Sequence, residues 1–204
     1  MQKQAFYFLA IMVIVLTASP TSAAPVVIAG SSLESPPPFW DNSYCMINAS
    51  YNRAFQFAII SGGPYYAEEL QVAAFYHEGI GGSVANFSIN LDDDGQPGLP
   101  VGTFEMSGIA TTPQIVTAQV TDETVLYSDT LYWLVGQTPQ ADVLWNLADN
   151  VFGTVAYRVD QNDWVILPSR NVSAFAILGS QVPEPATFVL LALAGLGLIK
   201  KHTV

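Results

Sequence analysis

Six consecutive residues, Asn90-Leu91-Asp92-Asp93-Asp94-Gly95, hold the densest chemistry in the chain. Asn90, Asp92 and Asp94 place oxygen donors at alternate positions ahead of a glycine suited to a sharp turn, as at the start of a calcium loop. The pattern then fails. Position twelve is Val101 where an EF-hand has its bidentate Glu, and the flanks read as strands, so an EF-hand is excluded. Calcium completed by a carboxylate from elsewhere, such as Glu105, is the candidate cofactor; the plainer reading is a solvated acidic hairpin turn. The second candidate is aromatic. Tyr65 and Tyr66 adjoin a Gly-Gly-Pro turn and Trp164 follows Asp160-Gln161-Asn162-Asp163, places where flat apolar rings suit stacking against sugar rings. These three are the expected ligand-binding residues. Trp40, Trp133 and Trp145 are further candidates for such a platform, but most large aromatics in a domain of this size must be core, and Trp133, inside Leu131 to Val135, is expected there.

Nucleophilic and zinc-hydrolytic chemistry lacks its parts. His77 is the sole histidine of the body, in Tyr76-His77-Glu78 before a glycine-rich turn, and reads as a surface or edge-strand residue. No Gly-x-Ser-x-Gly or His-Glu-x-x-His is present. A glycosidase needs two carboxylates roughly 5 to 9.5 Å apart, a separation set by the fold, and no pair stands out among the 17 acidic residues. No catalytic residue is assigned. Cys45 is the only cysteine, so neither an intramolecular disulfide nor a cysteine metal cluster can form. It reads as a small buried apolar residue in preference to a reactive or intermolecular thiol.

Charge narrows the partners. Of six Lys and Arg, Lys3, Lys200 and Lys201 lie at the two ends, as does Glu184 of the 17 acidic residues, which leaves Arg53, Arg158 and Arg170 against 16 acidic residues and a body charge near −13. Such a surface repels nucleic acid and anionic membranes. It favours cations or neutral hydroxyl-bearing polymers, or simply keeps the chain soluble.

Short β runs fill the middle. Ala85, Phe87, Ile89 and Leu91 alternate with Asn86, Ser88 and Asn90, the period of two that turns one face to a core. Similar runs occupy Arg53 to Ile60, Leu70 to Tyr76, Gln114 to Val120, Leu131 to Gly136, Asp142 to Trp145, Gly153 to Arg158, Trp164 to Leu167 and Ala174 to Gly179. Turn chemistry separates them at Ser61-Gly62-Gly63-Pro64, Gly79 to Gly82, Asp94 to Gly98 and Asp160 to Asp163. The pattern predicts an all-β fold: a single antiparallel β-sandwich of jelly-roll type. It is expected over residues 41–180, after an extended proline-containing leader over residues 25–40.

The ends are targeting segments. Lys3, the apolar run Ala5 to Leu16 and the small residues around Thr21-Ser22-Ala23 read as a signal peptide over residues 1–24, removed by signal peptidase near Ala23 or Ala24. Over residues 181–204, Pro183-Glu184-Pro185 leads into the apolar stretch Ala186 to Ile199, closed by Lys200 and Lys201. Fourteen residues make a helix of about 21 Å, short for a bilayer core of roughly 30 Å, and the lysines hold its end on the cytoplasmic side. The expected arrangement is an exported ectodomain with a short C-terminal transmembrane helix. The three sequons at Asn48, Asn86 and Asn171 are incidental.

Pro183, Glu184, Pro185, the Leu/Ala/Gly helix and the basic pair Lys200-Lys201 resemble the PEP-CTERM sorting signal of Gram-negative bacteria. The basic end departs from the family's usual run of Arg. The resemblance implies processing by an exosortase, a membrane-embedded cysteine transpeptidase, and a cell-surface or biofilm-matrix location beside exopolysaccharide. Phe87 to Gly98, Asp129 to Val135 and Trp145 resemble the choice-of-anchor R ectodomains, which implies a surface β-sandwich and brings no catalytic residues. The reading that follows is a non-enzymatic exported protein whose ectodomain takes exopolysaccharide or calcium and no nucleic acid. The alternatives are an extracellular carbohydrate-active enzyme, a hydrolase or lyase, and a purely structural matrix component.

Overall fold

A computed structural model describes residues 24–31, 33, 43–60, 62–77, 84–139 and 142–182, without the side chains of 121, 122 and 149. The signal peptide, half of the leader, the Gly79 to Gly82 turn and the C-terminal helix expected from sequence lie outside these residues.

Every regular element among them is a strand. In chain order they are β1 (Val26–Ser31), β2 (Tyr44–Ile47), β3 (Tyr51–Ala58), β4 (Tyr65–Tyr76), β5 (Ala85–Asp93), β6 (Gln96–Met106), β7 (Gln114–Leu126), β8 (Leu131–Gln137), β9 (Val143–Val159), β10 (Val165–Ser173) and β11 (Phe175–Gln181). The sheet runs β1-β11-β4-β9-β3-β8-β5-β6, with β2 and β10 also paired to β9 and β7 to β4. All of these pairs are antiparallel, so the expected fold class holds.

β9 curls this sheet into two packed faces. Its first residues, Val143 to Asn146, pair with β2 and β4, whereas Phe152 onward pairs with β10 and β3. Between them the register against β10 jumps from Leu147↔Ser173 to Phe152↔Asn171, and Asn150 takes a φ of 55°. Extra residues on one strand bend it and sharpen its twist, so this bulge is the corner of the sandwich. Inside it, Trp145 is fully buried and meets Phe55 and Phe87 edge-on at 4.8 and 4.9 Å. Its Nε1 donates to the Ala174 carbonyl at 3.2 Å, which satisfies the indole that the core encloses. Leu70 and Val72 of β4, Ile177 of β11 and Ile28 of β1 close the opposite wall. On the outer face of β3, β8 and β9 a second cluster joins Ala54, Trp133, Val135 and Ala156, with Trp164 and Ile166 packed against it.

Four strands differ from the expectation, and one of them, β2, has no counterpart among the expected runs. Val26 to Ser31, expected as leader, is extended but belongs to the domain: it pairs with β11 and buries Ile28 completely. β6 carries Pro97 and Pro100, which weaken a strand signal, yet it lies at the end of the sheet order, where missing N–H donors are tolerated. The two runs expected at Asp142 to Trp145 and Gly153 to Arg158 are one strand, β9, interrupted by its own corner.

Candidate functional site

The acidic segment closes the β5–β6 hairpin. Asp94 and Gly95 take φ values of 53° and 82°, the double positive of a type I′ turn, which Asp-Gly favours. Asp92 points onto the outer face. Its Oδ1 accepts from Trp133 Nε1 at 2.6 Å and Gln56 Nε2 at 2.9 Å, and its Oδ2 accepts from the Gly95 N–H at 3.0 Å. Asn90 is also occupied: its Oδ1 accepts from Ser88 Oγ at 2.7 Å and its Nδ2 donates to the Gly98 carbonyl at 2.6 Å. Two of the three expected calcium ligands are therefore engaged in hydrogen bonds within the hairpin and to the neighbouring strands, and Asp94 is exposed beside them. Glu105, the suggested extra ligand, pairs with Asn86 near the other end of the hairpin, six residues along β5 from Asp92. At about 3.3 Å per residue that is roughly 20 Å, too far to share an ion with Asp92. Among the described residues, no group of three or more His, Cys, Asp or Glu could hold a metal ion.

The expected aromatic platform is not assembled. Tyr65 is only 8% exposed and belongs to the core, because adjacent strand residues face opposite ways and its side is the inner one. Tyr66 is half-buried on the other face of β4. Trp164 is half-buried against the outer cluster, and the Arg158 guanidinium lies 4.8 Å over its ring. With its amide turned so that the oxygen faces Arg158, Asn52 accepts from Nε at 3.0 Å and Nη2 at 3.3 Å. Of the three expected ligand-binding rings, Tyr65 is thus enclosed by packing, whereas Tyr66 and Trp164 each keep part of their surface exposed. His77 is exposed just past β4, as expected for a surface histidine.

The sequence reading did not single out the corner of β9. A cavity of about 360 Å³ opens there, with Tyr44, Arg53, Phe152, Val155, Ser169 and Arg170 in its lining. Arg53, on the inner side of β3, lies over Tyr51 at 5.0 Å and Tyr157 at 5.4 Å, and those two rings stack at 5.6 Å. Its buried Nε has no hydrogen-bond partner among the described residues. Arg170 is exposed, and it follows a second register shift in β10, where Ser169 takes a φ of 55°. Bulges of this kind re-aim side chains. Cys45 also borders the cavity but is buried, its Sγ 3.2 Å from Ser173 Oγ. Burial pushes its thiol up, against smaller opposing effects of the Ser173 contact and the Arg53 charge. Burial likewise raises the Tyr51 hydroxyl, with Arg53 pulling the other way. The available signal was scarcity: two of the three arginines in the body meet at one cavity.

The sorting residues Pro183, Glu184, Pro185, Lys200 and Lys201 lie outside the described residues, directly after β11. No curated protein matches the chain. Residues 181–200 match the PEP-CTERM protein-sorting motif, beginning on the last residue of β11. The chain carries, after an all-β domain, the sorting motif of an exported protein that an exosortase processes at the cell envelope or surface.

Proposed function

We propose that the β-domain is a non-catalytic module of the cell surface or extracellular matrix, that it binds exopolysaccharide, and that the exosortase-processed tail delivers it there. The observation that carries this reading is the junction at Gln181, where the last strand of the sandwich becomes the sorting motif without an intervening segment. A domain joined in that way is cargo for the tail. Three cavities support binding over cleavage. The corner cavity, a groove lined by Gly30, Ser31 and Gln71, and one lined by Asn52, Asn86 and Gln137 all present amide, hydroxyl or guanidinium groups. Such groups hold sugar hydroxyls, whereas glycosidic cleavage calls for paired carboxylates.

Sorting is tested with the full chain and its Glu184→Ala variant in a host that has an exosortase. The expected result is wild type at the surface or in the medium and the variant retained, unprocessed, in the inner membrane; equal release of both sinks the sorting role. Binding is tested by co-sedimentation of the full chain with the producing cell's own exopolysaccharide. Retention without shortening of the polymer is expected. Shortening would establish the enzyme reading instead, and no retention would leave a scaffold.

A further inference from the structure

The corner cavity combines three features seldom found together in so acidic a chain. First, it gathers positive charge. With 17 acidic residues to pair with, Arg53 and Arg170 make no ion pair among the described residues, whereas Arg158 is bound to Asn52 and covers Trp164. Arginines that serve only structure are ordinarily matched to carboxylates or buried against rings with their donors used. Arg53 has its face on Tyr51 and Tyr157, yet a buried N–H is left over.

Second, the cavity mouth is aromatic. Phe152 is 65% exposed and Tyr44 49% exposed, both in the lining. The corner bulge of β9 ends at Phe152 and presents its ring outward. Large exposed aromatics beside a polar recess mark a surface for flat or ring-shaped ligands. Third, the volume of about 360 Å³ is at the lower end of the roughly 300 to 1,000 Å³ of small-molecule sites, room for one ring and its substituent.

We propose that this cavity binds an acidic sugar unit of a polysaccharide, its carboxylate taken by Arg53 and Arg170 and the C–H face of its ring resting on Phe152. Guanidinium groups match a carboxylate in plane and in hydrogen-bond geometry, and Arg53 is held in place by the two tyrosines beneath it. The surrounding negative charge lowers the affinity for any anion that lacks the ring contact, so the site selects for carboxylate and sugar together. The inference rests on the polysaccharide-binding reading and names the chemistry of the polymer.

The test is calorimetric titration of the full chain in detergent micelles with four probes. These are a polyuronate oligomer, the same oligomer with its carboxylates methyl-esterified, a neutral oligomer of equal length, and inorganic phosphate. Saturable binding of the polyuronate alone is expected. Arg170→Gln, at an exposed position outside the core, weakens it roughly tenfold or more, the value of a hydrogen bond to a charged group. Phe152→Ala, also exposed, weakens it by a similar factor while the circular dichroism stays unchanged. Binding of the esterified or neutral oligomer as tight as the polyuronate overturns the acidic-sugar inference and leaves polysaccharide binding standing. Phosphate binding as tight as the polyuronate makes the cavity a simple oxyanion site and overturns the sugar part. Heat from none of the four overturns this inference; retention on the native exopolysaccharide in the co-sedimentation assay would then still uphold the broader reading.

Discussion

Replacing Asp92 tests whether the acidic hairpin is a metal loop or a structural joint. In Asp92→Ala the Trp133 indole N–H, on a residue with no exposed surface, loses its acceptor inside the outer cluster. A buried donor left unpaired costs about 1 to 3 kcal/mol. Gln56 and the Gly95 N–H are only partly buried and can turn to water, so each lost bond costs about 0.5 to 1.5 kcal/mol. The sum is about 4 kcal/mol, a large share of the 5 to 15 kcal/mol typical of a domain. In Asp92→Asn the amide oxygen still accepts from Trp133 and Gln56. Its NH2 then faces the Gly95 N–H, so the expected loss is about 1 to 2 kcal/mol. Urea unfolding followed by tryptophan fluorescence measures both, with and without calcium. The reasoning is refuted if Asp92→Ala falls within about 1 kcal/mol of wild type, or if calcium stabilises the wild type and that stabilisation vanishes in the variant.

Three further outcomes follow from the packing. Cys45 keeps its proton in the folded chain above the pH at which the unfolded thiol, with an ordinary value of 9.0, loses it. The folded state then holds more protons than the unfolded one, so stability falls as pH rises past about 9, and Cys45→Ala flattens that slope in unfolding curves collected from pH 8 to 10. Trp145→Ala removes the ring that Phe55 and Phe87 pack on and lowers unfolding stability by about 3 to 5 kcal/mol in urea titration; a loss below about 1 kcal/mol would contradict the core assignment. At Gly179 a methyl group would run into the Tyr66 carbonyl and Ile28 Cδ1, so Gly179→Ala costs about 1 to 3 kcal/mol by thermal melting, where an open site would show none.

What the sequence disclosed was local. Alternation placed Ala85, Phe87 and Ile89 on the core face, and Asp94-Gly95 marked a hairpin turn, because both signals live within a few residues. Leu91 continues the alternation but is 39% exposed, since periodicity does not show where a core ends. β1 was hidden for another reason: whether an extended run is leader or strand is decided by its partner, here β11 at the far end of the chain. The same holds for the sites. Nothing near Asp92 announces that Trp133, 41 residues on, will spend its carboxylate. Nothing near Arg53 announces Arg170, because the two meet only through their shared neighbour β9 and through a corner made of Asn150 and Ser169 in left-handed conformations. Tyr65 and Trp164 sit beside turn residues, and turns correlate with exposure without enforcing it.

The place of β11 between β1 and β4 also sets a schedule. A chain that leaves the cytoplasm N-terminus first delivers β1 and β4 long before their common partner, which is complete only at Gln181. Until then both strands have a row of unpaired N–H and C=O groups, a template for any passing strand. Assembly must therefore wait for the last stretch of chain to cross, and the closing contacts join it to the first strand, Val26 with Gly179, and to the fourth, Tyr65 with Gln181. Long-range closure of this kind is slow. A chain cut short before Phe175 would not be a smaller version of the same domain but a half-open sheet in search of a neighbour, and the arrival of the sorting tail coincides with the moment that danger ends.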